Sequence, residues 1–78
     1  MITVKLFGLL RLDSGIRERR MEASSVNEVF RKLLAETDRI TKKELEGCVI
    51  LINGTPGRKR SKLKDGDEVT LLSPVAGG

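Results

Sequence analysis

One segment of the chain has the apolar periodicity of an α-helix, and a single helix of this kind needs a covering layer. Its apolar side chains follow the i, i+3, i+4, i+7, i+8 spacing that gathers them on one face: Val26, Val29, Phe30, Leu33 and Leu34. Ser25-Val26-Asn27-Glu28 is a capping-box sequence, in which the Ser25 side chain accepts from the Glu28 amide and Glu28 reaches back to the Ser25 amide. We predict a helix over residues 26–36 whose apolar face is buried against another layer.

Strands at both ends of the chain are expected to supply that layer. Residues 1–8 alternate so that Ile2, Val4 and Leu6 share one side, and in residues 68–73 Val69 and Leu71 do the same. We predict that these apolar sides lie under the helix.

Five further segments complete the expected layout. They are a turn at residues 12–15, a polar edge strand at 16–22, a mainly irregular stretch at 37–47 with room for a short helical turn, an interior strand at 48–53 and a weak strand near 57–61. Making the first and last strands parallel central neighbours gives a ubiquitin-like β-grasp, an α+β fold with a mixed four- to five-stranded sheet and the main helix on one face. We expect residues 1–78 to form a single domain, because a chain of this size has room for one core.

The residue types argue against an enzyme or a metal protein. The chain has no His and one cysteine, Cys48, so the usual zinc sites and the commonest general base are missing. Cys48 lies in an apolar run, where packing is the expected role. No apolar run is long enough to span a bilayer and no signal-peptide pattern is present, so we expect a cytoplasmic chain without a membrane partner. We also expect it to bind no cofactor of its own.

Two large apolar residues fall on the side of the predicted sheet that faces away from the helix. If Leu6 and Leu71 cover the helix, their neighbours Phe7 and Leu72 point outward from adjacent strands. A register error of one residue would reverse both faces. An exposed apolar patch of this kind is typical of a partner interface.

The stretch RKRSKLK, residues 58–64, has five cations in seven residues, and the net charge of the chain is +4. A solvated sheet edge and a nucleic-acid surface are both consistent with it. The absence of Tyr and Trp removes the side chains that would stack on bases, which argues against nucleic acid.

The final segment SPVAGG, residues 73–78, ends in two residues without side chains. Pro74 cannot donate to a ladder, so we expect the last strand to stop there and a flexible tail over residues 73–78 to extend about 20 Å at roughly 3.3 Å per residue. Because Gly77 and Gly78 have no Cβ, a terminal carboxylate there fits a narrow tunnel. A frayed end is the simpler interpretation.

LKDGDEVTLLSPVAGG, residues 63–78, resembles the C-terminal signature of the small subunit of molybdopterin synthase, the MoaD family of MoaD/ThiS-like sulfur carriers. VKLFGLLR, residues 4–11, resembles that family's first strand, which also has an aromatic residue at the position of Phe7. The helix and INGTP, residues 52–56, match in pattern.

The resemblance implies a non-enzymatic carrier. An E1-like, MoeB-like enzyme would use ATP to adenylate the carboxylate of Gly78, and sulfur would then displace AMP to leave a thiocarboxylate. The tail, with Gly77 as the slim neighbour, would enter the large, MoaE-like subunit of molybdopterin synthase. Phe7 and Leu72 match the family's partner-facing positions, and Pro56 lies where a third apolar contact is often found.

Three alternatives remain open. The same tail serves carriers for thiamine or cysteine synthesis and ubiquitin-like modifiers that are joined to lysines. A basic nucleic-acid-binding module is the third alternative, and it would not require the glycines.

Overall fold

The computed structural model describes residues 1–73 of the chain. Its elements are β1 Ile2–Gly8, α1 Leu9–Ser14, β2 Glu18–Met21, α2 Val26–Glu36, α3 Lys42–Glu46, β3 Val49–Ile52, β4 Thr55–Pro56 and β5 Glu68–Ser73. One sheet has the order β2-β1-β5-β3-β4, in which β1 and β5 are parallel and the other pairs are antiparallel. The predicted mixed sheet, with the first and last strands side by side at its centre, is confirmed.

The apolar face of α2 packs on the inner side of this sheet, as the periodicity predicts. Val26, Val29 and Leu33 have no exposed side-chain surface, and Phe30 is 5% exposed. Beneath them lie the inward residues of the two central strands: Ile2, Val4, Leu6, Val69 and Leu71, all at most 2% exposed. The bounds of α2 agree with the predicted 26–36, because the apolar stripe starts directly after the N-cap residue Ser25, so both signals indicate the same first residue.

The N-terminus of α2 is capped in a slightly different way from the prediction. The Ser25 hydroxyl accepts from the Glu28 amide at 3.3 Å, as expected. The Glu28 carboxylate, however, accepts from the amide of Ser24 at 3.2 Å and not from Ser25. The side chain therefore reaches one residue farther back than in a capping box.

The predicted weak strand near residues 57–61 is wrong, and β4 ends at Pro56. We call residues 57–62 the basic loop. Its carbonyl groups cap α2, since the Lys59 oxygen accepts from the Asn27 amide at 2.9 Å and the Ser61 oxygen accepts from the Val26 amide at 3.1 Å. The Gly57 amide still donates to the Ile50 carbonyl oxygen of β3 at 2.9 Å. The rest of the loop is held at a helix end, where its carbonyl groups bind helical amides that have no partner within the helix.

The turn predicted at residues 12–15 is also wrong for most of its length, because α1 occupies Leu9–Ser14. This helix buries Leu10 completely. The Ser14 hydroxyl donates to the Leu10 carbonyl at 2.6 Å and accepts from the Ile16 amide at 3.0 Å. Gly15 then ends the helix in the left-handed conformation. Asp, Ser and Gly are typical both of turns and of short helix ends, so the sequence pattern does not separate the two.

The segment expected to be mainly irregular, residues 37–47, contains the short helix α3. A capping box between Thr41 and Glu44 starts it. Ile40 and Leu45 are buried, at 2% and 0% exposure, and fill the end of the core. Within residues 1–73, no helix is both long and apolar enough to cross a membrane.

Candidate functional site

Three apolar side chains form a row across the outward face of the sheet, the face opposite α2. The strand register places Phe7 of β1 beside Leu72 of β5, and Leu72 beside Val49 of β3. Their exposures are 39%, 40% and 44%, although all three lie on central strands. We call Phe7, Leu72 and Val49 the apolar row. Such neighbours on one face can be covered together by a single partner surface.

Val49 was missed in the sequence analysis. It belongs to the near-continuous apolar run CVILIN, in which the outward and inward residues have the same chemical character. Only its pairing with Leu72 reveals which way it points. An explicit register for β3 against β5 is the signal that could have identified it.

Pro56 lies one register row away from the apolar row. It pairs with Leu51 on β3, and Leu51 pairs with Thr70 on β5. Pro56 is exposed on the edge strand, and half-buried Leu51 separates it from the rest of the sheet. The structure thus makes Phe7 and Leu72 register partners on adjacent strands and places Pro56 at the margin of the same face.

The polar part of this face begins directly below the apolar row. Lys5 is the register partner of Thr70, and its Nζ lies 3.3 Å from the Glu68 Oε2. The pair is partly exposed, so it contributes little stability by itself. On β1 and β5, the pair marks where the apolar part of this face ends.

The end of β5 lies against a glycine of β1. Gly8 is the register partner of Ser73, and a Cβ built on Gly8 would come within 2.2 Å of the Ser73 carbonyl oxygen. Gly8 also has a φ of 65°, a left-handed value that favours glycine. This close approach holds the last described residue beside the Phe7–Leu72 pair.

Ser73 was predicted to be the first residue of the tail, and for this residue the prediction is wrong. Ser73 is the last residue of β5 and is only 9% exposed, so it belongs to the sheet. Pro74, Gly77 and Gly78 lie outside the described residues. The last described residue, Ser73, thus directly follows Leu72 of the apolar row in the chain.

The thiol nearest to this face is held in its neutral form. Cys48 precedes Val49 and is half-buried against the core. Burial raises the pKa of the Cys48 thiol to about 11, and its Sγ donates to the Leu45 carbonyl oxygen at 2.9 Å. A thiol with this pKa has little thiolate at neutral pH, so the packing role predicted for it agrees with its surroundings. Among residues 1–73, no group of three or more His, Cys, Asp or Glu side chains is placed to hold a metal ion.

Comparison with known proteins identifies a family. The sequence model of the ThiS family matches residues 4–78, nearly the whole chain. A search of curated proteins found no match.

Solved structures agree with that match. Subunit 1 in the complex of subunits 1 and 2 of molybdopterin-converting factor from Helicobacter pylori is similar over 99% of this chain and 97% of its own, with 31% identity and a TM-score of 0.68. A putative molybdopterin converting factor subunit 1 from Pyrococcus furiosus has 27% identity, a TM-score of 0.78 and coverages of 95% and 97%. The small archaeal modifier protein 1 of Methanosarcina acetivorans has 29% identity, a TM-score of 0.82 and coverages of 99% and 95%.

These relatives share the β-grasp architecture described above, and small carriers of this type are generally not catalysts themselves. At least one of them occurs with a partner subunit. The resemblance inferred from both ends of the sequence is confirmed at this level. The chain belongs to the ThiS family of MoaD/ThiS-like, ubiquitin-like sulfur carriers.

Proposed function

We propose that this chain is the sulfur-carrying small subunit of a molybdopterin synthase. The observation that supports this most directly is the position of the apolar row at the end of β5, where the chain continues into residues 74–78. Because Pro74 follows Ser73 in the chain, we expect a partner that covers Phe7 and Leu72 to lie near the start of the segment that ends in Gly77-Gly78. The molybdopterin-converting factor subunits of H. pylori and P. furiosus favour this pathway.

The proposed chemistry takes place on the carboxylate of Gly78. That carboxylate attacks the α-phosphate of ATP in an E1-like adenylating enzyme, and pyrophosphate leaves. Hydrosulfide from a sulfur donor then attacks the acyl carbon, AMP leaves, a proton is lost, and Gly78 carries a thiocarboxylate. At the large subunit of the synthase the sulfur is transferred to the dithiolene precursor, and water supplies the oxygen that restores the carboxylate of Gly78.

In this scheme the chain contributes binding and no catalytic side chain. Phe7, Leu72 and Val49 dock on the partner, and Pro56 extends the contact at the edge strand. Gly77 leaves room beside the reacting carboxylate because it has no Cβ. The chain binds no cofactor of its own, ATP acts at the activating enzyme, and the reactions take place in the cytoplasm on a single carrier domain.

The test is co-expression with an E1-like adenylating enzyme and a sulfur donor, followed by intact-mass measurement. We expect the mass increase of one oxygen replaced by sulfur, located on Gly78 by fragmentation. Deletion of Gly78 should abolish this product and leave the melting temperature almost unchanged. An unmodified mass under conditions that convert a known carrier would contradict the proposal, and so would sulfur incorporation in the deletion variant.

The acceptor is tested separately with the large subunit of molybdopterin synthase. We expect the thiocarboxylated chain to support molybdopterin formation in a purified reaction. The similarity to the M. acetivorans modifier favours a second candidate function, conjugation to lysines of other proteins through Gly78. Higher-mass adducts that require Gly78, without molybdopterin formation, would favour that function.

A further inference from the structure

A groove lies on the helix side of the protein, on the opposite side of the sheet from the apolar row. It has a volume of about 430 Å³ and is bounded by α2, α3 and the basic loop. Leu34 and the accessible edge of Phe30 provide its apolar floor, while Arg31, Lys42 and Lys59 stand at its rim. The volume is sufficient for one or two side chains of a partner.

The excess positive charge of the protein is concentrated here. The groove has three cations, and the basic loop adds three exposed ones, Arg58, Arg60 and Lys62. Only two acids accompany these six cations, Glu28 and Glu46. The sequence has fifteen cations and eleven acids, so the nine cations and nine acids elsewhere cancel. This one region therefore accounts for the net charge of +4.

The cations differ in whether they already have partners. Lys59 and Lys42 both approach the Glu46 Oε2, at 3.1 and 4.0 Å, and Arg31 lies 3.6 Å from Glu28. Within residues 1–73, Arg58, Arg60 and Lys62 make no ion pair. Three exposed cations of the basic loop, which borders the groove through Lys59, are thus available to an acidic ligand.

The backbone of the basic loop is fixed even though its side chains are exposed. In addition to capping α2, it is closed on itself by the Ser61 hydroxyl, which accepts from the Arg58 amide at 2.9 Å, and by the Ser61 amide, which donates to the Arg58 carbonyl at 3.0 Å. A fixed loop loses little backbone entropy on binding. The backbone positions from which its cations extend are consequently fixed.

We propose that this groove is a second docking site, which binds an acidic peptide segment of a partner protein and takes an apolar side chain onto Leu34 and Phe30. A peptide fits better than a nucleic acid because Phe30, the single aromatic residue that lines the groove, is almost fully buried, so bases have no stacking platform. The site does not depend on which pathway receives the sulfur.

The position of the groove gives it a distinct role. A partner bound there leaves the apolar row uncovered, because the two sites lie on opposite faces of the sheet. The carrier can then be held by one protein through the groove while another acts on its C-terminal segment. The inferred function is recruitment of the carrier to a protein with an acidic segment.

Fluorescence anisotropy tests the proposal with a dye-labelled peptide that has one leucine flanked by glutamates on both sides. We expect binding that weakens with salt and weakens further when the leucine of the peptide is replaced by serine. The double variant Arg58→Glu with Arg60→Glu should lower the affinity by about tenfold or more. The control, Arg17→Glu with Arg20→Glu, makes the same change in net charge on the β2 side and should lower it by about twofold or less.

Two further measurements separate the alternatives. Phe7→Lys should leave peptide binding unchanged, since it alters only the outward face. A labelled oligothymidylate of equal charge should bind more weakly than the peptide. The proposal would be overturned if the two double variants lowered the affinity for the peptide equally, or if Phe7→Lys abolished peptide binding. It would also be overturned if the oligonucleotide bound more tightly than the peptide, or if the peptide did not bind at all. Circular dichroism confirms folding, and the neutral variant Arg58→Gln with Arg60→Gln replaces the charge reversal if that variant unfolds.

Discussion

At the scale of single residues, Asp67 links two turns at the end of the sheet opposite the apolar row. Its carboxylate accepts from the Lys64 amide at 2.8 Å and from the Asn53 side chain at 2.9 Å. Asn53 in turn accepts from the Glu68 amide at 2.9 Å. These bonds position the start of β5, on which the rest of the sheet depends.

The hydrogen bond from the Lys64 amide, followed by that from Asn53, lowers the pKa of Asp67 below its ordinary value of 3.8. A group whose pKa is lower in the folded state stabilises the fold above the unfolded pKa, and the stabilisation is lost as the pH falls through the folded value. We expect Asp67→Asn to lower the melting temperature at pH 7. The difference from wild type should shrink as the pH is taken below 3.8.

Melting curves over a series of pH values measure this difference. Asp38→Asn is the matched control, because it removes an exposed carboxyl outside these turns and should have little effect at any pH. The melting temperatures of Asp67→Asn and wild type could also differ by the same amount down to the lowest pH. That result would show that the charge of Asp67 is not the stabilising feature.

At the scale of elements, α2 depends on caps from two parts of the chain. Ser25 provides one with its side chain, and the basic loop provides two with its carbonyl groups. The loop therefore belongs to the folded structure whatever its cations bind. This arrangement also ties residues 57–62 to the start of the helix.

Ser25→Ala removes the side-chain acceptor of the Glu28 amide. We expect a loss of about 1 kcal/mol in the free energy of unfolding, the usual cost of removing a serine N-cap. Denaturant unfolding measures it. Ser24→Ala is the control, since within residues 1–73 the Ser24 side chain makes no hydrogen bond, and equal losses in the two variants would contradict the capping role.

The elements that the sequence predicted correctly are those with a long repeating pattern. In α2, β1 and β5, apolar side chains recur over several turns or pleats, so the helix and the two central strands follow from periodicity. The elements that it missed, α1 and β4, span six and two residues and depend on contacts distant in sequence. The candidate site divides in the same way: Phe7 and Leu72 follow from alternation, whereas Val49 and Gly8 required the observed register.

At the scale of the whole molecule, the two faces of the sheet serve different purposes. The inner face is sealed by α2, and the outer face exposes an apolar row on its central strands. Exposing this surface brings no stability to the free protein. A bound partner would recover the hydrophobic free energy that the fold leaves unused.

We expect Phe7→Lys and Leu72→Lys to fold and to lose activation by an E1-like enzyme. The side chains are already exposed, so the melting temperature should change little. The apparent affinity for the enzyme should fall by about tenfold or more, because loss of an interface anchor costs roughly 2 kcal/mol. The measurement is the rate of ATP–pyrophosphate exchange as a function of carrier concentration.

Thr3→Lys is the matched control, because it introduces the same side chain on β1 and on the same face, beside Arg20 and Glu68 and away from the apolar row. It should activate normally. Equal activation of all three variants would show that the apolar row is not the docking surface.

The pairing of β1 with β5 has a consequence for biosynthesis. β1 leaves the ribosome before β5, its central neighbour, which is made only after residue 67, so the sheet cannot be completed until the last described segment has been synthesised. The apolar row is divided in the same manner, since Phe7 and Leu72 come from opposite ends of the chain. A chain whose synthesis stops before Glu68 has neither a complete sheet nor a complete row. A partner that requires the row is therefore expected not to bind chains that are truncated before Glu68.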